Sequence, residues 1–372
     1  MNPLIALKEF GQSVWLDFIR RNLITSGELR RLIDEDGVCG VTSNPSIFEK
    51  AIAGSADYAD ALALARKKDR DAMALYESLA IEDIQDAADI MKPVYEATRR
   101  RDGYVSLEVS PHLADDTQRS IAEARRLWKT VGRPNVLIKV PATPAGIPAI
   151  RQLISEGINV NVTLLFAQSA YEQVAQAYID GLAERARAGG DVSQIASVAS
   201  FFVSRIDTLV DSIIDERLKA SPSAAERAML ESIRGKIAVA NAKLAYQRYG
   251  EICHSEQWRA LKARGAHTQR LLWASTSTKN PNYRDVMYIE ELIGPDTVNT
   301  IPLATLDAFR EHGQVRPTLE ADLDSAAHAM KTLAQAGISI KDVTDRLVRD
   351  GVQLFADAFD KLLEAVDQRR NA

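Results

Sequence analysis

The chain has 372 residues, 46% of them hydrophobic and 26% charged, which is enough for one large α/β domain or two ordinary ones. A net charge of −5 argues against nucleic acid as a partner, so an anionic substrate would have to be held by local basic residues. Two cysteines cannot form a disulfide framework and no apolar run reaches transmembrane length, so we expect a cytoplasmic protein with no membrane partner.

Short apolar or alternating runs recur along the chain and are separated by helical patterns. Apolar residues repeat at spacings of three and four over 81–95 and over 206–214, which predicts amphipathic helices. Another helix is expected to begin near Asp115 and to end at Gly132, before Pro134. The runs that predict strands are 13–17, 38–42, 103–109, 135–140, 158–164, 195–201, 271–276 and 297–301.

Strands that alternate with helices in this way favour a (β/α)8 TIM barrel over an open doubly wound sheet. Residues 223–264 are helical and rich in polar side chains, which predicts an insertion between strands six and seven. Residues 319–372 predict extra C-terminal helices, and we expect those over 319–367 to pack on the outside of the barrel. No internal repeat or linker divides the chain, so we interpret residues 1–372 as a single domain.

Lys139 interrupts the run Asn135–Pro141, which otherwise has the composition of a fully buried strand. Burying an unpaired ammonium is unfavourable, and loss of the proton leaves an amine that can attack a carbonyl group to form a Schiff base. The structural alternative is a lysine that extends from the strand end to water, or that pairs with a carboxylate. On this run alone, the structural alternative is favoured.

The segment Ile158–Phe166 places polar side chains on one face of a predicted strand. Asn159, Asn161 and Thr163 alternate with apolar residues, and the apolar face must contact the helices of a barrel. The polar face then points inward, where barrel enzymes bind substrate near the C-terminal strand ends. Hydrogen bonds of these side chains to one another are the structural alternative.

Two carboxyl groups interrupt strands in the same way. Glu108 lies in Val105–Val109, and Asp17 follows the apolar residues of the first strand. Each by itself is explained by a salt bridge or a helix cap. Together with Lys139 and the polar face of 158–166, they favour a catalytic centre inside the barrel.

Six segments, in order along the chain, resemble signature segments of the transaldolase family. The resemblance implies a class I aldolase barrel whose Schiff-base lysine lies on strand four, which is the position of Lys139. It also implies transfer of a dihydroxyacetone unit between sugar phosphates in the pentose phosphate pathway, with no cofactor and no metal. The segments are Gly40–Lys50, Val105–Val109, Asn135–Pro141, Gly157–Phe166, Ser197–Arg205 and Trp273–Asn280.

Chemistry and the resemblance imply the same catalytic roles. Neutral Lys139 attacks the ketose carbonyl, and burial favours the neutral amine whereas an ionised Glu108 would oppose it. Glu108, with a water placed by Thr163, transfers protons during Schiff-base formation. Asp17 takes the proton of the C4 hydroxyl as the C3–C4 bond breaks.

The resemblance implies that Asn44, Asn161 and Ser200 hydrogen-bond the dihydroxyacetone hydroxyls and so retain the intermediate. Sugar phosphates are the expected small-molecule partners. The donor would be sedoheptulose 7-phosphate or fructose 6-phosphate, and the acceptor glyceraldehyde 3-phosphate or erythrose 4-phosphate. The insertion is either a contact within a homo-oligomer or a decoration of the barrel.

A guanidinium group matches phosphate oxygens, so Arg205 is the first candidate for a phosphate contact. Taken alone, Arg205 would be a surface arginine at the start of a helix, and the resemblance reverses that interpretation. Lys279, together with Ser277, is the second candidate.

Three alternatives stay open. The first is fructose 6-phosphate aldolase, a shorter relative in which the resemblance implies a tyrosine in place of Phe202. The second is a metal-dependent or nucleotide-dependent enzyme, although the histidines are scattered and neither a phosphate-binding glycine motif nor H-E-x-x-H occurs. The third is an inactive barrel that acts as a binding scaffold, which has no physical reason to keep charged groups such as Lys139 inside.

Overall fold

Eight parallel strands close into a barrel in their order along the chain, and β1 pairs with β8. The structure, a computed structural model, describes residues 2–60, 62, 71–220 and 222–371. The strands are β1 (Gln12–Asp17), β2 (Val38–Thr42), β3 (Tyr104–Glu108), β4 (Val136–Pro141), β5 (Val160–Leu165), β6 (Ser197–Phe202), β7 (Arg270–Ala274) and β8 (Thr297–Ile301).

Helices surround the barrel and connect its strands. Three short 3-10 helices, Leu7–Phe10, Pro111–Leu113 and Val192–Gln194, add to the connections. The α-helices of the described residues are α1 (Pro3–Ala6), α2 (Arg21–Thr25), α3 (Glu28–Asp36), α4 (Pro45–Gly54), α5 (Ala72–Ala97), α6 (Thr117–Val131), α7 (Gly146–Glu156), α8 (Gln168–Arg187), α9 (Ser204–Lys219), α10 (Ala224–Ile233), α11 (Ile237–Cys253), α12 (Glu256–Lys262), α13 (Met287–Glu290), α14 (Leu303–His312), α15 (Leu323–Gln335) and α16 (Ile340–Asn371).

The predicted fold is confirmed. Every predicted strand is present and its ends differ from the prediction by at most two residues, as in the fifth strand, predicted at 158–164 and observed at Val160–Leu165. The helix α6 begins and ends as its capping residues indicate. The Asp116 side chain accepts a hydrogen bond from the Arg119 N–H at 2.9 Å, and Gly132 ends the helix in the left-handed conformation at φ 59°.

The predicted insertion between β6 and β7 is also present. It comprises α10, α11 and α12, and α11 packs against α8, α9 and α15. The insertion therefore thickens one side of the barrel wall and takes no part in closing the sheet.

The C-terminal helices divide between two locations. The helix α15 packs outside the barrel against α11, as expected for 319–367. The helix α16 instead packs on α4, α5, α9 and β5, and so covers part of the C-terminal end of the barrel. The expectation that the whole segment packs on the outside is therefore wrong for α16, because its buried side chains, among them Phe355 and Phe359, cover apolar surface at that end.

Candidate active site

Lys139 lies on β4 with its side chain inside the barrel, where 5% of the residue is exposed. Its Nζ donates a hydrogen bond to the Ser43 carbonyl oxygen at 2.8 Å. The same nitrogen lies 3.4 Å from Glu108 Oε2, because β3 and β4 pair with these residues side by side. The lysine does not extend outward to water. It pairs with the carboxyl group of Glu108, so the reactivity of its amine depends on the other side chains around this pair.

Glu108 has the properties of a proton acceptor for this amine. Burial raises its pKa, while the positive charge of Lys139 acts in the opposite direction. Glu108 Oε2 and Thr163 Oγ1 are buried and lack a hydrogen-bond partner of regular geometry within the part of the chain that the structure describes. They lie on β3 and β5, the strands on either side of Lys139, so both oxygens can bind a water close to the amine.

Asp17 is the second buried carboxyl group of the site. It ends β1, and its Oδ1 accepts a hydrogen bond from Thr42 Oγ1 at 2.7 Å. Burial raises the pKa of Asp17, and the charge of Lys139 is the main opposing influence. A carboxylate with a raised pKa is a stronger base than a free aspartate, which suits it to remove a hydroxyl proton.

Lys139, Thr163 and Asp17 line a cavity of about 460 Å³ at the C-terminal end of the barrel, which is where barrel enzymes carry their active sites. Glu108, although it lies beside Lys139, does not contribute to the cavity wall, and neither does Asn161. The predicted site residues that do line it are Asp17, Asn44, Lys139, Thr163, Ser200, Phe202, Arg205, Ser277 and Lys279.

Asn161 is fully buried and both ends of its side-chain amide are occupied. Nδ2 donates to Ser106 Oγ at 3.0 Å, and Oδ1 accepts from Ser200 Oγ at 2.7 Å. Asn161 is not part of the cavity wall, and it holds Ser200 against the cavity. Its Nδ2 has a second N–H beyond the one donated to Ser106, so the predicted contact with the dihydroxyacetone unit stays a prediction. Asn44 caps α4 by accepting from the Ile47 N–H at 3.0 Å, which leaves its Nδ2 to donate into the cavity.

Arg205 lies in the first turn of α9, at the cavity wall. Its guanidinium carbon is 5.3 Å from the centre of the Phe202 ring and 5.9 Å from the centre of the Phe355 ring. Burial lowers the pKa of Arg205, and the charge of Asp17 partly offsets this. The guanidinium nevertheless stays protonated at every physiological pH, so it provides a permanent positive charge in the cavity.

Lys279 lies at the exposed rim of the cavity, in the loop after β7. Its Nζ donates to Ser277 Oγ at 2.6 Å. Loss of part of its hydration lowers the pKa of Lys279, and repulsion from Arg205 acts in the same direction. Two cations that line one cavity attract an anion into it, so this pair of side chains forms a positive site that can bind a phosphate.

The structure brings in two residues that sequence reasoning missed. Lys50 lies on α4 and lines the cavity as a third cation, and its charge also acts on Lys279. Its position six residues after Asn44, in a segment that resembles the family, was the available signal. Phe355 enters the cavity from α16, and no local pattern in its helix connects it with a barrel end.

Two non-glycine residues beside the cavity adopt the left-handed conformation. Leu164 has φ 58° and Ser275 has φ 56°, at the ends of β5 and β7. The pairing register of β5 with β6 shifts between Val162 and Leu165, so Leu164 is the irregular residue in the strand. Strained backbone of this kind is concentrated at active sites, where the fold holds it in place.

A family model described as Transaldolase/Fructose-6-phosphate aldolase matches residues 14–366. The chain belongs to this family. The resemblance predicted from six segments is thereby confirmed over nearly the whole length, and the barrel and cavity above are those of a family member.

Curated transaldolases of several bacteria are similar to the chain over nearly their full lengths. A transaldolase of Trichodesmium erythraeum (strain IMS101) is 49% identical over 99% of this chain and 97% of its own length. Transaldolases of Thiobacillus denitrificans and Neisseria gonorrhoeae are 47% and 44% identical, each over 98% of this chain and over 100% and 99% of their own lengths. The relatives all bear the name of a transferase, in agreement with the predicted activity.

Two further observations concern the described residues only. No helix among them is both long and apolar enough to span a bilayer. No group of three or more His, Cys, Asp or Glu side chains is arranged there to hold a metal ion.

Proposed function

We propose that the protein is a transaldolase of the pentose phosphate pathway, which transfers a dihydroxyacetone unit from a ketose phosphate to an aldose phosphate. The observation that carries the proposal is Lys139, buried 3.4 Å from a carboxyl oxygen beside a cavity whose other side carries cations. An amine beside a proton acceptor can form a Schiff base, and the cations can hold the phosphate at the far end of the sugar.

The first step is Schiff-base formation on Lys139. The ammonium proton passes to Glu108, whose raised pKa favours its uptake, and the neutral amine attacks the ketose carbonyl. The carbinolamine then loses its hydroxyl as water. Glu108, acting through a water bound at Thr163, returns the proton that this departure requires.

The second step is cleavage of the C3–C4 bond. Asp17 removes the proton of the C4 hydroxyl, the C4 oxygen becomes an aldehyde, and the electron pair of the bond moves to the iminium nitrogen of Lys139. This leaves an enamine of dihydroxyacetone on Lys139 and releases the shortened aldose phosphate. The incoming aldehyde takes the reverse path with Asp17 as the acid.

Retention of the enamine distinguishes a transferase from an aldolase. Asn44 donates to a dihydroxyacetone hydroxyl, and Ser200 Oγ accepts from one because its own proton is donated to Asn161 Oδ1 at 2.7 Å. Asn161 holds Ser200 in place through this bond, and its second Nδ2 N–H is the donor for its own contact with the dihydroxyacetone unit. Arg205 and Lys279, assisted by Ser277 and Lys50, bind the phosphate. Their positions around one cavity support this assignment.

The family description also covers fructose 6-phosphate aldolase, and Phe202 favours the transferase because the aldolase group has tyrosine there. Fructose 6-phosphate without an acceptor aldehyde distinguishes the two. A transaldolase releases at most about one equivalent of glyceraldehyde 3-phosphate, whereas rapid multiple turnover would identify the aldolase. The cytoplasmic location and a homo-oligomeric state stay predictions.

The decisive experiment is borohydride reduction in the presence of fructose 6-phosphate, followed by peptide mass mapping. We expect a reduced dihydroxyacetone adduct on the peptide that contains Lys139. Lys139→Ala should abolish the adduct and all transfer, and Lys139→Arg should not restore them because a guanidinium stays protonated. An adduct on any other lysine would contradict the proposal.

A further inference from the structure

The helix α16 contributes one aromatic side chain to the cavity. Phe355 is 5% exposed and lines the cavity together with Lys139 and Arg205, whereas the adjacent Leu354 is 54% exposed. One face of α16 therefore lines the cavity, whereas the face that carries Leu354 is directed to solvent.

Arg205 is held by ring faces and not by a carboxylate. Phe202 and Phe355 both lie within the range of a cation–π contact, at 5.3 and 5.9 Å from its guanidinium carbon. Within the described residues, Arg205 makes no hydrogen bond and no ion pair, and Asp17 acts on its charge only through space. Its guanidinium is thus fixed in place while its N–H donors stay available.

The backbone of α16 also comes close to Arg205. Gly351 lies one turn before Phe355, and a Cβ at Gly351 would lie 2.8 Å from Leu164 Cδ2 and 3.7 Å from Arg205 Nη1. Glycine allows this approach with no shift of the Leu164 side chain, whose end a Cβ would push aside. The approach sets how deeply Phe355 enters the cavity.

Contacts further along α16 fix this position. Arg369 donates to the carbonyl oxygens of Ile52, Ala53 and Ser55 at 2.7, 2.7 and 2.6 Å, at the C-terminal end of α4. The Phe359 ring packs edge-on against Tyr76 at 5.5 Å between ring centres. Since α4 also carries Asn44 and Lys50, the same contacts tie α16 to the cavity wall opposite Arg205.

We propose that Phe355 is a positioning residue for phosphate recognition: with Phe202 it holds the Arg205 guanidinium so that its free N–H donors face the substrate phosphate. The C-terminal helix thereby makes the enzyme selective for phosphorylated sugars. This inference rests on the proposed transaldolase function.

The test compares Phe355→Leu with Leu354→Ala, its exposed neighbour on the same helix. Acceptor kcat/KM is measured for glyceraldehyde 3-phosphate and for unphosphorylated glyceraldehyde, because in a ping-pong mechanism this constant reports the acceptor half-reaction alone. We expect Phe355→Leu to lower kcat/KM about tenfold for the phosphorylated acceptor and less than about twofold for the other. Leu354→Ala should change neither constant.

Two further measurements separate positioning from a general structural role. Phe355→Tyr keeps the ring and should keep the selectivity, and inorganic phosphate should inhibit Phe355→Leu more weakly than the natural enzyme. Equal losses with both acceptors, or loss of selectivity in Phe355→Tyr, would overturn the inference. The Lys139 adduct distinguishes the two proposals: its absence in the unsubstituted enzyme refutes the transaldolase function, and its presence with unchanged selectivity refutes only the role of Phe355.

Discussion

At the scale of single residues, the site depends on two buried carboxyl groups with different neighbours. Glu108 lies 3.4 Å from the amine of Lys139, whereas Asp17 is held by a hydroxyl group, Thr42 Oγ1, at 2.7 Å. Burial raises the pKa of both. Their different positions support the proposal that Glu108 transfers protons at the nitrogen and Asp17 at the sugar hydroxyl.

This division of roles predicts which intermediate accumulates when Asp17 is changed. In Asp17→Asn the Schiff base should still form, but the C3–C4 bond should not break, so turnover should fall by about 10²–10⁴. Borohydride should then trap the intact six-carbon sugar phosphate on Lys139 in place of the three-carbon unit. Glu108→Gln is the matched comparison and should slow formation of any adduct. A three-carbon adduct in Asp17→Asn at the natural rate would refute the role of Asp17.

At the scale of secondary structure elements, α9 connects Arg205 with the loop that carries Lys279. Its first turn carries Arg205, and its buried carboxyl groups hold the segment that follows Lys279 in the chain. Tyr283 donates to Asp211 Oδ2 at 2.6 Å and Tyr288 donates to Asp207 Oδ2 at 2.9 Å. The relative position of Arg205 and Lys279 therefore depends on these contacts.

Asp207 makes this connection sensitive to pH. Burial raises its pKa from 3.8 to about 7, and Asp211 nearby adds to the shift. Between these values the folded protein holds a proton that the unfolded chain has lost. The stabilising contribution is therefore complete below pH 3.8 and is lost as the pH rises through about 7, with a slope of at most about 1.4 kcal/mol per pH unit.

We expect Asp207→Asn to remove the contribution of Asp207 to the pH dependence of the free energy of unfolding, because an amide carries no charge at any pH. The amide oxygen can still accept a hydrogen bond from the Ala238 N–H. The measurement is the free energy of unfolding in urea at intervals between pH 5 and pH 8. Asp215→Asn is the control, since that side chain is 54% exposed on the same helix and should leave the slope unchanged. The same slope in Asp207→Asn as in the unsubstituted protein would refute the argument.

At the scale of the whole molecule, the two ends of the barrel have separate tasks. The C-terminal end carries the cavity, and the N-terminal end carries a buried ion pair between Arg270 and Asp102, at 2.9 Å. Ser13 and Trp15 also donate to Asp102, at 2.8 and 3.0 Å, so β1 and β7 are joined through one carboxylate. These side-chain contacts hold the N-terminal end of the barrel together and lie outside the cavity.

Removing one partner of this pair should lower stability without changing catalysis. Arg270→Met leaves the Asp102 charge buried and unpaired, so the free energy of unfolding should fall by about 3–5 kcal/mol. Arg125→Met is the control, because the Arg125 side chain in the ion pair with Glu156 is 52% exposed and loss of that pair should change stability far less. Denaturant unfolding measures the change, and a KM for fructose 6-phosphate altered by Arg270→Met would contradict the separation of the two ends.

Local sequence was sufficient for the barrel and for most of the site. The alternation of apolar and polar residues is a property of each strand, so it predicted the strands and the inward direction of Thr163 without any knowledge of their neighbours. The family segments added Asn44, Ser200 and Arg205, and the structure places all of these on the cavity wall. The catalytic and binding roles themselves stay predictions.

Only the tertiary structure decided the positions of side chains whose contacts lie far away in the sequence. Asn161 is not part of the cavity wall, and Ser106 and Ser200, on two other strands, hold its amide in position. Phe355 reaches Arg205 because α16 crosses the end of the barrel. The sequence does not predict this crossing, because an apolar stripe on a helix has the same pattern whether the helix packs outside a barrel or across its end. Sequence by itself therefore determined the barrel and the place of Lys139 on β4 inside it, because strand patterns are local. Packing decided which side chains line the cavity.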